Sequence, residues 1–278
     1  MIIDTHVHTF PDSIATKAIG KLEKISGITP ATDGTVATTL SFMKKIGVDV
    51  FVNLNIATGP NQQTTINNVA SQLNTQYEKE SMISIGSVHH LNPDSINELN
   101  RIKDLNIKGI KLHPDYQGFF IADKELYPIY DACSQLDIPI IFHSGWDCYS
   151  PDVIHAPPQQ SATVAKKFPK LKMVLAHFGG LLMWEDVLEH VAGIENVYLD
   201  TAMLATYCKD INIIYKILNK HPIDNVMLGS DCPWESPESS VEFIHKLQIS
   251  DDSKDKIFYR NALSFYKINK KTEGEINE

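Results

Sequence analysis

Eight short apolar runs, most of them ending at a histidine or an acidic residue, constrain the fold of this chain more than any other feature. Most of the runs are almost continuous in Val, Ile and Leu, and helical stretches follow them. This alternation is typical of parallel strands in a sheet that helices cover on both faces. The predicted strands are residues 1–8, 48–56, 82–89, 108–113, 138–143, 172–177, 196–200 and 225–231.

Eight parallel strands close most simply into a (β/α)8 barrel, the TIM barrel, whose usual size of about 250 residues suits a chain of 278 residues. We predict an α/β fold with a single TIM barrel over residues 1–278, because no linker or change in composition divides the chain. The tail from about residue 270 is expected to fray. Residues 9–34 are long for a connection at the barrel mouth and predict a lid. The predicted helices are residues 13–25, 35–46, 61–79, 93–105, 124–136, 158–168, 184–191, 237–247 and 253–268.

The composition argues against several kinds of partner and location. Lys and Arg number 25 against 34 Asp and Glu, with no basic run, so we do not expect nucleic acid binding. No apolar run approaches the ~18 residues of a membrane span, and the N-terminus does not resemble a signal peptide. The four cysteines lack CxxC spacing, which favours reduced thiols and a cytoplasmic location. Homodimers are the commonest oligomers, so a homodimer is one expectation for the assembly.

Histidines concentrate at the C-terminal ends of the predicted strands, and Asp231 ends the last strand. In a barrel these ends converge on one face, where catalytic residues lie. His6 and His8 are two residues apart in a strand, so their side chains point to the same side. Neutral imidazoles suit zinc and similar metals. Six of the eleven histidines end a strand: His6, His8, His89, His113, His143 and His177.

The motifs around these residues resemble those of the amidohydrolase superfamily. They are His6-Val7-His8, Phe-His-Ser-Gly at His143, Ala-His-Phe-Gly-Gly at His177 and Gly-Ser-Asp-Cys-Pro-Trp at Asp231. Asn-Val-Tyr-Leu-Asp, which ends at Asp200, and Asn261-Ala262 are most similar to the amidohydrolase-related branch, which includes aminocarboxymuconate-semialdehyde decarboxylase. The resemblance extends from residue 1 to about residue 268 and is specific for the superfamily, but it says little about the substrate.

The resemblance implies that His6, His8, His143 and Asp231 bind one divalent metal ion, with zinc as the first choice, and leave a position for water. Bound zinc lowers the pKa of its water to roughly 7 and polarises a substrate carbonyl. Asp231 would accept the proton of this water. His177 would orient the hydroxide or stabilise the developing oxyanion.

Lys111 and His113 share one face of the fourth strand and are predicted to point into the same site. Some members of the superfamily carry a carboxylated lysine on this strand that bridges two metal ions. Lys111 would then bring a second metal ion. The other interpretation is that the Lys111 ammonium faces a carboxylate or phosphate of the substrate.

Several other side chains have a structural explanation beside a functional one. Asp200 either faces the site or caps the turn after its strand. The thiols of Cys148 and Cys232 follow ligand-bearing strands and are alternative zinc ligands. The aromatic residues of the loops either wall a substrate pocket or pack the rim. Four histidines in predicted helices or loops are expected to be solvated: His155, His190, His221 and His245.

The first hypothesis for the function is a metal-dependent hydrolase that uses activated water to attack an amide, lactone or ester carbonyl of a small molecule. The alternative is a zinc-dependent non-oxidative decarboxylase of a small carboxylic acid. Arginines commonly bind the carboxylates of such substrates. Arg101 and Arg260 both fall in predicted helices, which weighs against the alternative. A third hypothesis is an inactive barrel that only binds a metal or a ligand.

Overall fold

The computed structural model describes residues 1–77 and 82–268, and it confirms the predicted α/β barrel architecture. Strands β1 to β3 and strands β4 to β8 pair in parallel with their sequence neighbours. The strands are β1 Ile3–Val7, β2 Val50–Leu54, β3 Met82–Ile85, β4 Ile110–Leu112, β5 Ile140–Phe142, β6 Met173–Leu175, β7 Val197–Asp200 and β8 Val226–Met227. All eight lie within the predicted runs, and most are several residues shorter.

Two backbone junctions join these two sets of strands into a closed ring. Gly86 forms a parallel bridge with Ile110 and so connects the end of β3 to β4. Val7 forms a parallel bridge with Cys232 and so connects β1 to the segment after β8. The same junction brings the backbone N–H of Asp231 to within 2.8 Å of the His6 carbonyl oxygen. The last strand therefore returns to the first, and the site residues of β1 and β8 become neighbours.

Helices cover the outside of the ring, and most of them agree with the predicted ranges. The prediction missed one long helix, α10, between β7 and β8. The predicted range of α3 extended to residue 79, and residues 78–79 lie outside the described residues. The tail that was predicted to fray also lies outside them from residue 269 on. The α-helices are α1 Asp12–Ser26, α2 Val36–Lys45, α3 Gln63–Gln76, α4 Ser95–Asp104, α5 Pro114–Gln117, α6 Tyr127–Leu136, α7 Pro158–Lys167, α8 Trp184–Asp186, α9 Leu204–Tyr207, α10 Ile211–Lys220, α11 Pro237–Lys246, α12 Asp251–Asp255 and α13 Asn261–Tyr266.

Alternating strand residues divide the core into a layer inside the barrel and a layer between strands and helices. In β4, Ile110 and Leu112 belong to the outer layer with residues of the surrounding helices. Ile141, the register partner of Lys111, packs in the inner layer. Successive strand residues point to opposite faces, so Lys111 points into the barrel, as predicted. Among the residues that the structure describes, no helix is long and apolar enough to cross a membrane.

Candidate functional site

Two histidines of β1 and its C-terminal extension converge with an aspartate that follows β8. His6 Nε2 lies 3.2 Å from His8 Nε2. Asp231 Oδ1 lies 3.3 Å from His6 Nε2 and 3.2 Å from His8 Nε2. The closing junction of the barrel sets this arrangement, because it pairs the backbone of Asp231 with that of His6. Three of the four predicted metal ligands therefore meet at one point.

The other nitrogen of each ring shows why this point suits a cation. His6 Nδ1–H donates to Asp200 Oδ2 at 2.8 Å, and His8 Nδ1–H donates to the Leu54 carbonyl oxygen at 3.0 Å. In a neutral imidazole the second nitrogen then carries a lone pair. Two nitrogen lone pairs and a carboxylate oxygen thus face one another, with no proton of their own to share. This is the donor set and the ring orientation that divalent metals use.

Asp200 explains the orientation of His6, and it also caps the turn after its strand. Its Oδ1 accepts hydrogen bonds from the backbone N–H groups of His177 and Ala202 at 2.9 and 3.2 Å. Both explanations of Asp200 offered by the sequence are therefore correct. His177 and Asp231 themselves have left-handed backbone angles, with φ of 58° and 75°. Such strain in non-glycine residues is concentrated at functional sites.

Lys111 places a buried cation beside these groups. Its side chain is fully buried, and Nζ lies 3.5 Å from His6 Nε2. Burial lowers the pKa of Lys111 to about 8, while the charges of Asp200 and Asp231 oppose that decrease. The ammonium group is therefore still the main form at neutral pH. For Asp231, burial would raise the pKa, but the neighbouring His6, His8 and Lys111 outweigh it and lower the pKa.

His143, the fourth predicted ligand, lies in a second group with His113 and Asp147. Asp147 Oδ2 is 3.6 Å from His113 Nε2 and 3.4 Å from His143 Nε2. The two rings are stacked, with centroids 4.3 Å apart and planes inclined by only 11°. Imidazole lone pairs lie in the ring plane, so two stacked rings do not direct them at one ion. The planes of His6 and His8, in contrast, cross at 69°.

The second group therefore suits hydrogen bonding to a carboxylate better than it suits metal binding. The Nδ1 atom of His143 faces His177 Nε2 at 3.0 Å, so His143 connects His177 to Asp147. The assignment of His143 as a metal ligand stays a prediction. His177 Nδ1 is buried and has no hydrogen-bond partner among the described residues. Burial and the neighbouring His143 lower the pKa of His177 well below its usual range.

A further aspartate behind this group was not identified from the sequence. Asp115, in the short helix α5, accepts hydrogen bonds on Oδ1 from the Ser150 hydroxyl and from His155 Nδ1. The helix start His-Pro-Asp was a usable signal for a buried carboxylate near His113, and Asp147 lay only four residues after His143. What was missing is the fold of the loop 144–156, which alone brings Asp147, Ser150 and His155 to the site.

Two of the histidines expected to be solvated are not. His155 is partly buried and bonded to Asp115, as described above. His221 is 2% exposed at the end of α10, and its Nδ1 accepts a hydrogen bond from the Gly193 backbone. Both predictions were wrong because a loop position does not indicate how closely the loop packs. The cysteine alternatives receive no support, since burial raises the pKa of the Cys148 thiol to about 11.

Comparison with protein families identifies the chain. Residues 3–268 match the family described as amidohydrolase. The chain belongs to the amidohydrolase family. The predicted superfamily, and the prediction that the protein is an enzyme of this kind, are confirmed.

Two curated relatives share part of this sequence. The decarboxylase orsB of Emericella nidulans is 22% identical over 228 residues, which cover 63% of this chain and 66% of that protein. The 2-keto-4-carboxy-3-hexenedioate hydratase of a Sphingobium species is 23% identical over 207 residues, which cover 60% of this chain and 59% of that protein. The chain thus matches slightly less than two thirds of the length of each relative.

Solved structures share the fold over nearly the whole chain. An uncharacterised TIM-barrel protein from Bordetella bronchiseptica has a TM-score of 0.76 and 19% identity, and the match covers 96% of this chain and 99% of that one. A 5-carboxyvanillate decarboxylase from Novosphingobium aromaticivorans, complexed with manganese and 4-hydroxy-3-methoxy-5-nitrobenzoic acid, has a TM-score of 0.71 and 16% identity, with 96% of each chain covered. At these identities the similarity concerns the barrel fold.

Proposed function

We propose that this protein is a metal-dependent decarboxylase that removes the carboxyl group of a small carboxylic acid without oxidation. The observation that carries the proposal is the buried ammonium of Lys111, 3.5 Å from one of the three convergent metal-ligand candidates. A buried cation in that position suits a substrate carboxylate. The curated relatives are a decarboxylase and a hydratase, so they favour the decarboxylase alternative over the hydrolase that was the first hypothesis.

The proposal includes a divalent metal ion held by His6, His8 and Asp231, because their lone pairs converge without a proton between them. When bound, such an ion would supply Lewis acidity that withdraws electrons from the substrate. Zinc was the first choice from the sequence, and the manganese bound by the Novosphingobium relative makes manganese the second ion to test. A metal count of two per chain would support the alternative of a carboxylated Lys111.

The side chains of the site have separate tasks in this reaction. Lys111 pairs with the substrate carboxylate in a buried setting, where an ion pair is stronger than in water. The bond between the carboxyl carbon and its neighbour breaks, CO2 leaves, and the electron pair stays on the neighbouring carbon, which must then take up one proton. We assign His177 to that proton transfer, because its free Nδ1 is buried in the site. Burial and His143 hold the pKa of His177 well below its usual range, so the ring is neutral before the reaction. The proton therefore comes from solvent water and passes through the ring to the carbon.

The scarcity of arginine does not count against this function. Arg101 NH2 lies 2.6 Å from Glu98, and Arg260 NH1 lies 2.6 Å from Asp252, so both guanidinium groups are used in ion pairs outside the barrel, as their predicted helical positions implied. Among the described residues, Lys111 is the one Lys or Arg side chain that is completely buried. The carboxylate partner is therefore a lysine in this chain.

The proposal is tested by loading purified protein with Mn²⁺ or Zn²⁺ and measuring CO2 release. The substrate panel contains benzoates with a hydroxyl group next to the carboxyl group, and unsaturated aliphatic acids. A parallel panel of lactones, esters and amides measures hydrolysis. We expect CO2 release that is lost in His8→Ala and kept in His190→Ala, a histidine outside the site. Hydrolysis of the second panel without CO2 release from the first would overturn the proposal.

A further inference from the structure

Two buried carboxylates in the site form no ion pair with a lysine or arginine among the described residues, although the charge of Asp147 acts on Lys111. Neither carboxylate has a task in the proposed reaction. They are Asp147, whose side chain is 8% exposed, and Asp115, whose side chain is completely buried. Both face the stacked imidazoles of His113 and His143. A buried carboxylate without a strong partner is costly, so these two residues are candidates for recognising a group of the substrate.

In each of the two carboxylates, one oxygen is well bonded and the other is not. Asp147 Oδ1 accepts the Tyr149 backbone N–H at 2.6 Å, while Oδ2 has only the two imidazole nitrogens at 3.4 and 3.6 Å. These distances exceed the 2.7–3.2 Å that is usual for such bonds. Asp115 Oδ2 is buried without any hydrogen bond, 3.8 Å from His113 Nδ1 and 4.0 Å from His143 Nε2. The Oδ2 atoms of Asp147 and Asp115 can therefore each accept a further hydrogen bond.

The net charge of the site also limits which substrates it can bind. Four aspartates, of which all but Asp231 are buried, face its histidines: Asp115, Asp147, Asp200 and Asp231. Lys111 supplies one positive charge, and a divalent ion at the candidate metal site would supply two more. With all four carboxylates ionised, the site then still has one negative charge in excess before any substrate enters. Lys111 Nζ lies 3.5 Å from His6 Nε2, so the ammonium and a metal ion at His6 would face the same substrate carboxylate. Among the described residues no other lysine or arginine is buried at the site to pair with a second carboxylate.

We infer that the substrate carries a single carboxylate and that Asp147 is a specificity-determining residue, which accepts a hydrogen bond from a substrate hydroxyl or amino group and repels a second carboxylate. We assign this task to Asp147 and not to Asp115, because Ser150 and His155 already hold Asp115 by hydrogen bonds. Asp147 Oδ2, in contrast, has only the imidazole contacts at 3.4 and 3.6 Å. The inference rests on the proposed function only in placing the one carboxylate at Lys111. It states which acids enter the site, independently of what happens to them there.

The test measures the binding of three benzoates that differ in one group: 3-hydroxybenzoate, 3-aminobenzoate and the diacid isophthalate. Isothermal titration uses the full-length, metal-loaded protein. We expect the wild type to bind the diacid roughly tenfold or more weakly than the other two, because like charges brought together in a site are strongly unfavourable. Asp147→Asn keeps the Oδ1 acceptor for Tyr149. In this variant we expect the dissociation constant of the diacid to exceed those of the two monoacids by about threefold or less. Asp152→Asn, in the same loop but exposed, is the matched control and should keep the wild-type ratio.

Equal binding of the monoacids and the diacid by the wild type would overturn the inference even if Asp147→Asn did not fold. The same holds if none of the three acids bound, or if Asp147→Asn and Asp152→Asn gave the same ratio. The proposed function can fail separately. A protein that releases no CO2 but discriminates against the diacid through Asp147 would refute the decarboxylase and support the inference. CO2 release together with equal binding of the monoacids and the diacid would support the decarboxylase and refute the inference.

Discussion

Lys111 is the single residue on which the chemistry of the site depends most. We expect Lys111→Met to lower kcat/KM by roughly 10²–10³, since it removes a preorganised charge at the reacting carboxylate from a buried site. The measurement is steady-state CO2 release. The control is Lys108→Met, three residues earlier and just before β4, where Nζ donates to Asn106 Oδ1. Full activity of Lys111→Met would mean that the substrate carboxylate binds elsewhere.

Asp4 links the stability of the protein to pH. Burial raises the pKa of Asp4 from 3.8 to about 7, although hydrogen bonds from Ser230 and His6 oppose this shift. Between these two values the folded chain holds a proton that the unfolded chain has lost. Stability from this group is therefore fully present below about pH 4 and is lost as the pH rises to about 7.

Asp4→Asn tests this linkage because the amide does not titrate and still offers an oxygen to the backbone of Ser230 and His6. The free energy of unfolding is measured by urea titration at several values between pH 4 and pH 7. We expect the wild type to lose up to a few kcal/mol relative to Asp4→Asn across this window. Parallel curves for the two proteins would show that Asp4 is ionised in the folded state.

The predictability of the site differs from residue to residue. His6, His8 and Asp231 could be found from the sequence because strand ends of a barrel converge and these residues are tied to strand ends. Asp115 and Asp147 could not be assigned, since their contacts depend on how two loops pack on each other. The ring orientation of His143 was also beyond the sequence. A sequence motif indicates the position of a histidine in the fold, but the packing of neighbouring residues determines the orientation of its ring nitrogens.

At the level of elements, the loop after β5 is held against the loop after β6 at Gly145. This residue has φ of +87° and bridges both Ala156 and Leu181. A Cβ atom there would lie 2.1 Å from the Leu181 nitrogen. We expect Gly145→Ala to lower the free energy of unfolding by roughly 2–4 kcal/mol and to displace Asp147 with its loop.

Gly20→Ala is the matched control for this substitution. Gly20 lies inside α1, and apart from its chain neighbours and the backbone of the helix itself no atom is within 4 Å of an added Cβ. This change should stabilise the protein by about 0.5–1 kcal/mol, because alanine loses less backbone entropy than glycine in a helix. Urea titration of both variants and the wild type measures these changes in the free energy of unfolding. If Gly145→Ala were as stable as the wild type, the two loops would have more freedom than their backbone contacts indicate.

The elements themselves show what patterns in the sequence can and cannot reveal. The strands were found because buried parallel strands are almost continuously apolar. Except in β7, their ends were placed too late, since the chain leaves the sheet before it presents its polar groups. For example, β8 ends at Met227, and Asp231 follows in a left-handed conformation. Helix α10 was missed although Asp210 caps it and one face is strongly apolar. No helix was predicted between residues 200 and 225.

For the whole molecule, the candidate metal site lies where the barrel closes. His6 and His8 come from the first strand and its extension, and Asp231 follows the last, more than 220 residues later in the sequence. A metal ion bound by all three would tie the two ends of the ring together. It would bind the folded chain and not the unfolded one, so it would stabilise the fold by mass action.

Chelation should therefore lower the melting temperature of the metal-loaded protein. At an ion concentration of about 100 times Kd, binding adds roughly 2.7 kcal/mol, which corresponds to a decrease of several degrees for a chain of this size when the ion is removed. Calorimetry with and without EDTA measures the shift. His8→Ala should lose it and His190→Ala should keep it. The same shift in His8→Ala would place the ion elsewhere, and the structure offers the group of His113, His143 and Asp147 as the next place to look.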